Sequence, residues 1–454
     1  DGNRLPGHRT IDVVVATLRR AEAELADGDP LIAWSFDPIF LPTERLNRRH
    51  LDAVTARRPV VVIHSNFHLM TVNSAALSLV GYDRHTEAEG VVKDAHGEPH
   101  GELREMAAMF PIMRRLKIEL KGAARQAESL RTFARMAVRA GVTTATDLMA
   151  DLTDEDVLLL GEITSEEDFP FRLVAALNAM KDTPERTAER AGALKAMSAD
   201  RLRLGAVKIM TDGSIQGYTA RLKSPGYVTG APNGVWNIAP TSLERLVDTL
   251  HASGVQMHIH VNGDEASETA IAALEKAIAR APRAGHRHTL QHCQMADEQQ
   301  FRSMAGLGIC ANLFANHLWY FGDKHVSSTV GPERASRMNG ARAALDSGVA
   351  VAIHSDAPVT PMAPLFTAWC AVNRLTPEGR ILGEAQRISV PEALRAITMG
   401  AAYTLGLDAE IGSIEPGKRA DFAVLDRDPL QVEPMALKDI AVLGTVSGGR
   451  VFAA

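Results

Sequence analysis

The sequence predicts an α/β protein: a (β/α)8 TIM barrel, a small β-sandwich domain completed by the C-terminal strands, and an α+β insertion. Three observations lead to this prediction. From about residue 140 onward, short β-branched runs alternate with helix-period stretches. Polar residues that can coordinate a metal stand where several of these runs end. On both sides of this region the alternation stops, which indicates additional structural units.

The central region, residues 141–405, carries the barrel pattern. Its helix-period stretches include 242–254, 266–281 and 332–348, the last of which closes on Gly348. The runs interpreted as strands are 142–148, 171–177, 203–210, 255–261, 289–293, 307–313 and 349–355. Seven strand-then-helix units are typical of a parallel sheet whose closed form is an eight-stranded barrel. The first strand of that barrel is not accounted for.

The flanking regions follow other patterns. Residues 1–140 are interpreted as the N-terminal part of the barrel with the α+β insertion, because a helix over 11–25 precedes strands at 32–36 and 59–65. Residues 406–454 alternate apolar and polar positions between Gly and Pro turns, which is typical of short antiparallel strands. We interpret this last part as a β-sandwich segment.

Composition is that of an ordinary globular protein and excludes several classes. Of the 454 residues, 46% are apolar, and 49 basic against 55 acidic residues give a net charge of −6. Without a basic run, neither nucleic acid nor an anionic membrane is expected as a partner. The sequence contains no stretch of 18 apolar residues, so no transmembrane helix is predicted. Three widely spaced cysteines favour a reducing compartment, the cytoplasm, although the chain begins with Asp1 and a signal peptide could have preceded it.

Four residues with metal-binding side chains stand at the carboxyl ends of predicted strands: Lys208, His260, His292 and Asp356. In a barrel these ends converge on one face, where active sites lie. Imidazole and carboxylate ligands suit zinc and similar divalent ions. A buried lysine must relieve its desolvation by pairing, deprotonation or modification, and a neutral lysine can take up carbon dioxide to become an anionic carbamate.

Each of these residues also has an ordinary interpretation. A histidine in an apolar strand is usually a hydrogen-bonded core residue, Lys208 could pair with Asp212, and Asp356 could cap a turn. Their joint position at strand ends is what favours the metal site.

Several segments resemble the amidohydrolase superfamily, in its YtcJ-like (amidohydrolase-3) branch, which includes N-substituted formamide deformylases. The segments are VKIMTDGS (207–214), HIHVNGD (258–264), LQHC (290–293), HSDAPVTPMAPL (354–365) and EIGSIEPGKRADFAVLD (410–426). The segments at 58–77 and 97–105 fit the insertion of this branch, so that the resemblance covers nearly the whole chain.

The resemblance implies a set of site residues. Lys208 would be a carboxylated, metal-bridging lysine, His260 and His292 ligands of a second metal, and Asp356 both a ligand of the first metal and the general base. One or two divalent ions, zinc first among them, are the implied cofactor.

Further residues carry weaker assignments. His68 matches a histidine that this branch places near the substrate, although a structural role is equally compatible. Asn312, His317 and Trp319 could contact substrate. His258 and His354 each lie two residues before a site residue, so they should face the same way one layer deeper, in the barrel core.

The sequence departs from the family in one respect. The superfamily takes two metal ligands from an H-x-H on the first barrel strand, and no such motif precedes residue 258. Either an N-terminal portion is missing from the recorded chain, which we favour, or the first metal site has degenerated. Missing sandwich strands in the same region would leave the C-terminal strands with unpaired edges.

The implied reaction is hydrolysis of a non-peptide C–N bond, in an amide, N-acyl amine or N-formyl amine, by a metal-activated hydroxide with Asp356 as general base. The partner would be a small-molecule substrate, and because similar barrels often associate, a homo-oligomer could form. Three alternatives remain: an esterase or deaminase using the same site, a non-catalytic binding or regulatory barrel, and a purely structural role for the four residues.

Overall fold

The computed structural model describes residues 7–8, 10–41, 44–119 and 126–454. Within them the strands form a five-stranded mixed sheet, an eight-stranded parallel sheet and a three-stranded antiparallel sheet, in chain order. Among the described residues no helix combines the length and apolar character needed to span a bilayer.

The first sheet and its helices form the α+β unit. Its strand order is β1-β2-β3-β5-β4, in which β1 and β2 pair in parallel and the other neighbours pair antiparallel. The elements are α1 (Ile11–Ala23), β1 (Leu31–Phe36), α2 (Arg48–Asp52), β2 (Val60–His64), β3 (Leu69–Val72), α3 (Ser74–Leu79), β4 (Val91–Lys93), β5 (Pro99–Arg104) and α4 (Glu105–Leu116).

The parallel sheet alternates with helices, as the sequence predicts. Its strands are β6 (Thr144–Ala150), β7 (Arg172–Asn178), β8 (Leu202–Arg203), β9 (Val207–Met210), β10 (Met257–Val261), β11 (Thr289–His292), β12 (Cys310–Leu313) and β13 (Val351–Ile353). Its helices are α5 (Ala127–Arg139), α6 (Asp154–Ser165), α7 (Pro184–Ala196), α8 (Pro240–Ala252), α9 (Asp264–Arg280), α10 (Glu298–Leu307), α11 (His317–Lys324), α12 (Gly331–Arg337), α13 (Ala341–Asp346), α14 (Pro364–Asn373), α15 (Val390–Arg395) and α16 (Ala401–Thr404).

These strands and helices confirm the predicted barrel class. The sheet runs β6-β7-β9-β10-β11-β12-β13, with β8 paired to β7 off this path, and its strands curl into a partial barrel. No ladder between described residues joins β13 back to β6. The barrel core is mainly aliphatic, and its largest cluster extends along the chain from Ala134 to Ile440.

Two predicted elements are interrupted in the structure. The strand predicted over 203–210 is split because Gly205 has φ +104°, and a Cβ at this position would lie 2.6 Å from the Cβ of Lys195. The single helix predicted over 332–348 is wrong. It breaks between α12 and α13, where Asn339 adopts φ +49° just before Gly340.

The antiparallel sheet at the C-terminus consists of β14 (Phe422–Leu425), β15 (Val442–Ser447) and β16 (Arg450–Ala453). It is joined to the barrel by a buried ion pair. Arg172 Nη1 in β7 donates to Asp421 Oδ2 at 2.9 Å, and both side chains are less than 5% exposed (3% and 4%). Asp421 Oδ1 also accepts from the backbone N–H of Gly448 at 2.7 Å.

Replacing Asp421 by Asn is expected to lower the free energy of unfolding by about 3 kcal/mol, because the buried guanidinium of Arg172 loses its buried counter-charge and keeps only the exposed carboxylate of Asp200 at 3.9 Å. Denaturant titration followed by circular dichroism measures this loss. Glu298→Gln is the control, because Glu298 pairs with Arg302 on the surface at 3.4 Å. Removing that exposed pair should cost less than about 1 kcal/mol. Equal losses in the two variants would contradict a joining role for the buried pair.

Candidate active site

The four residues singled out at strand ends converge on one edge of the parallel sheet. Lys208 lies within β9, His260 within β10, His292 ends β11, and Asp356 follows β13 by three residues. The register places Val261 opposite His292, and His260 opposite Met210. Because all these strands are parallel, their carboxyl ends meet on the same face.

Histidines pack closely at this face. The ring centroids of His260 and His292 are 4.6 Å apart, and His292 Nδ1 lies 3.2 Å from His354 Nε2. Among the described residues, one ligand atom from each of His292, His354 and Asp356 can be chosen so that all lie within 4.8 Å of one another. His354, predicted to be a core residue, therefore belongs to the cluster of candidate ligands.

Burial keeps the imidazoles of His292 and His354 neutral. It lowers the pKa of His292 well below its usual value, and the neighbouring His260 and His354 lower it further. Burial also lowers the pKa of His354 to about 4, although the carboxylate of Asp356 opposes this shift. A neutral imidazole has a free lone pair, which is the form that binds a metal ion.

Lys208 is buried beside the same cluster, with 6% of its surface exposed. Burial lowers its pKa to about 8, and Asp356 is the carboxylate that opposes this shift. The alternative pairing with Asp212 is not present among the described residues. Asp212 instead accepts from the backbone N–H groups of Asn262 and Gly263 at 3.0 and 2.9 Å. The lysine amine is therefore left without a described hydrogen-bonding partner.

The α+β unit contributes His68 to this face. The ring of His68 lies 5.4 Å from that of His260, and its Nδ1 is 2.8 Å from Oε2 of Glu105. Burial lowers the pKa of His68, but the carboxylates of Glu105, Asp212 and Asp356 together outweigh it and the net pKa is raised. The structure thus brings His68 together with the strand-end residues.

Glu105 is a site residue that the strand-end pattern does not reveal. Its side chain is buried, its backbone has φ +61°, and its Oε2 also accepts from Asn237 Nδ2 at 2.9 Å. A Cβ on Gly213 would collide with Glu105 Oε1, so glycine is required where the barrel loop meets this carboxylate. The sequence signal was the segment 97–105, which ends on Glu105.

The three other predicted contact residues follow or lie within β12 and contact other protein side chains. Asn312 Nδ2 donates to Gln291 Oε1 at 2.8 Å. His317 stacks on Phe321 with centroids 4.4 Å apart, and Trp319 makes an edge contact with Trp369 at 5.3 Å. Each side chain has protein partners, and contact with a substrate remains a prediction for all three.

Comparison with known proteins gives one family. The sequence model of the amidohydrolase family, Amidohydro_3, matches residues 2–453. The chain is 27% identical over 454 residues to the putative amidohydrolase YtcJ of Bacillus subtilis, covering 97% of this chain and 83% of that protein. It is 28% identical to the N-substituted formamide deformylase of Arthrobacter pascens, covering 98% and 82% of the two chains.

Solved structures agree on the fold. An uncharacterised metal-dependent hydrolase of Pyrococcus horikoshii superposes with a TM-score of 0.66 at 21% identity, covering 95% of this chain and 82% of that one. At this identity the similarity concerns the architecture, which matches the α/β barrel with additional sheets described above.

Proposed function

The chain belongs to the amidohydrolase family, and from this premise we propose that it hydrolyses the C–N bond of a non-peptide amide, such as an N-acyl or N-formyl amine. Family membership makes it a metal-dependent hydrolase of C–N bonds. The observation that carries the proposal is the cluster of His292, His354 and Asp356 at the carboxyl ends of the barrel strands.

The donor set fits a divalent ion of the zinc type. Neutral imidazole nitrogen and carboxylate oxygen are zinc ligands, and three protein ligands leave a coordination position open. His292 and Asp356 would hold the ion, with His260 and His354 as the neighbouring donors. Zinc is favoured by this chemistry, and a carboxylated Lys208 would add an anionic ligand beside it. When bound, such an ion polarises a carbonyl and lowers the pKa of water to about 7.

Asp356 is suited to proton transfer in this reaction. Its carboxylate raises the pKa values of Lys208, His68 and His354, which supports a position close to all three side chains. An Asp356 Oδ atom would accept the proton of the attacking water and then return it to the leaving nitrogen. The nitrogen must be protonated because an amide anion is a poor leaving group.

His68 lies opposite the strand-end histidines and is suited to bind the substrate. Glu105 and Asn237 hold its position, since Glu105 Oε2 joins Nδ1 of His68 at 2.8 Å and Nδ2 of Asn237 at 2.9 Å. With Nδ1 engaged, His68 Nε2 is the ring nitrogen left to contact the amide.

Similarity to a protein named N-substituted formamide deformylase supports an amide with a substituted nitrogen as substrate. The full chain would be purified, its metal content measured by elemental mass spectrometry, and a panel of N-formyl and N-acyl amines assayed for free amine. Matched esters and aminopurines would be included, since an esterase and a deaminase are the other activities that this site could support.

We expect bound metal, release of amine from at least one amide, and loss of that activity on chelation with recovery on zinc addition. Faster turnover of the matched esters than of the amides would identify an esterase, and faster turnover of the aminopurines would identify a deaminase. Bound metal with no turnover of any compound would overturn the proposal in favour of a binding protein.

A further inference from the structure

A cavity lies at the amino ends of the barrel strands, at the end of the barrel opposite the candidate active site. Its volume is about 360 Å³, and it is lined by the last turn of α7, the segments that lead into β10 and β11, and the turn after α16. A Cβ on Gly254 would lie 3.6 Å from Nη1 of Arg283, and one on Gly406 would lie 4.0 Å from Nη1 of Arg287. These two glycines, with φ of +77° and +71°, therefore leave both guanidinium groups uncovered. We refer to this space as the basal cavity.

The lining of the basal cavity carries an excess of positive charge. Both oxygens of Asp408 engage Arg287, with Oδ2 3.4 Å from Nη2 and Oδ1 in contact with Nη1. Lys195 and Arg283 have no carboxylate partner among the described residues. Burial lowers the pKa of His286, so its ring adds no charge at neutral pH. Three positive charges and one negative charge give the lining a net charge of +2.

Basic side chains near the ends of helices often serve the last helix carbonyls, but other donors take that role here. The carbonyl of Lys195 accepts from a backbone N–H three residues later at 3.2 Å, and the carbonyl of Ala281, after α9, accepts from His251 Nε2 at 2.8 Å. Arg283 Nη2 donates to the carbonyl of Val255 at 3.2 Å, whereas its Nη1 makes no hydrogen bond to a described residue. The ammonium of Lys195 likewise has no described partner. Two cationic donors of the basal cavity are therefore free to bind a ligand.

We propose that the basal cavity binds a small molecule through a phosphomonoester group. A phosphomonoester carries about two negative charges at neutral pH and three acceptor oxygens, which match the two uncompensated cations of Lys195 and Arg283. Guanidinium and ammonium groups are the side chains that bind phosphate in proteins. A single carboxylate would neutralise only one of the two charges. The volume of the cavity lies in the range of small-molecule sites and leaves room for the rest of such a ligand.

Inorganic phosphate is the probe for this site, titrated into the full-length protein by isothermal calorimetry at constant ionic strength. Because phosphate can also bind a metal ion at the candidate active site, His292→Ala, which should lose that ion, is titrated beside the wild type. Acetate is titrated as a compact anion with a single charge. The site goes beyond the proposed function and needs no metal, so it should be intact in both proteins.

Four further variants test the lining itself. Lys195→Gln and Arg283→Gln each remove one uncompensated cation. Lys276→Gln is the matched control, because it removes the same charge from the exposed surface of α9, where Lys276 Nζ pairs with Glu244 Oε2 at 2.7 Å. Asp408→Asn removes the counter-charge of Arg287 and so raises the net charge of the lining by one. Circular dichroism monitors the fold of each variant.

We expect one saturable phosphate site in the wild type and in His292→Ala, and binding of acetate at least about tenfold weaker. Lys195→Gln and Arg283→Gln should each weaken phosphate binding by about tenfold or more, as the loss of a hydrogen bond between charged groups supports. Lys276→Gln should stay within about twofold of the wild type. Asp408→Asn should strengthen binding by about threefold, because the guanidinium of Arg287 becomes available to the anion. A variant that failed to fold would not show such a gain.

Absence of saturable binding up to about 20 mM phosphate would overturn the inference. Equal phosphate affinity in the wild type, Lys195→Gln and Arg283→Gln would place the anion elsewhere, and loss of binding in His292→Ala alone would assign it to the metal site. Acetate binding as tight as phosphate binding would rule out a site selective for phosphomonoesters. None of these outcomes depends on the release of amine from an amide, so the proposed function and this inference fail separately.

Discussion

Replacing Asp356 by Asn is expected to lower kcat/KM for the accepted amide by about a thousandfold, the scale of a lost general acid–base group. Asparagine has nearly the same shape as aspartate but takes up no proton at neutral pH. The attacking water would then keep its proton, and the leaving nitrogen would have none to receive. Because both halves of the reaction lose their proton carrier, the loss should be in kcat more than in KM.

Asp297→Asn is the matched control for this change. Asp297 also lies in a loop that follows a barrel strand, β11, and it is the N-cap residue of α10. Its side chain accepts from the backbone N–H of Gln300 at 2.9 Å. Asparagine caps a helix about as well as aspartate, so kcat/KM should stay within about twofold. Retention of a tenth or more of the wild-type kcat/KM in Asp356→Asn would show that another group carries the proton.

The strand-end positions could be predicted because they depend on local pattern and chain direction. Lys208, His260 and His292 lie within or at the end of strands whose β-branched composition is evident in the sequence, and a parallel arrangement brings such ends together. His258 also lies where alternation places it. It is inside β10, two residues below His260, and faces the barrel interior with Gln291.

The same alternation failed at His354, for a physical reason. The rule that residues two apart share a face holds only within a strand, and β13 ends at Ile353. Beyond it the backbone turns, with Asp356 at φ +54°, so His354 and Asp356 are not stacked in successive layers. The two side chains instead approach His292 from one loop.

Glu105 could not be placed from local pattern either. It lies 37 residues from His68 in the chain, and its role depends on how the α+β unit contacts the barrel. Asn237, which lies 132 residues from Glu105 in the chain, makes that contact. Long-range contacts of this kind leave no periodic signal, and only the resemblance of the segment 97–105 pointed to this region.

The second large effect is expected from His292→Ala, which should reduce bound zinc to less than a tenth of the wild-type ratio and abolish measurable turnover. His292 is central to the cluster, since its ring contacts that of His260 at 4.6 Å and its Nδ1 lies 3.2 Å from His354 Nε2. His292→Ala removes one of the two residues proposed to hold the ion directly, and the loss of such a ligand weakens zinc binding at micromolar concentrations. Elemental mass spectrometry after gel filtration measures the ratio.

His286→Gln is the control, because His286 lies before β11, at the opposite end of the strand, and its Nε2 bonds to the carbonyl of Leu307 at 2.9 Å. Glutamine can keep that bond, so both metal content and turnover should be unchanged. Full zinc content in His292→Ala would place the ion elsewhere in the chain. Loss of zinc with turnover intact would show that hydrolysis does not need the metal. Loss of both zinc and turnover, with neither zinc nor bicarbonate restoring the activity, ties the reaction to this cluster of strand-end ligands.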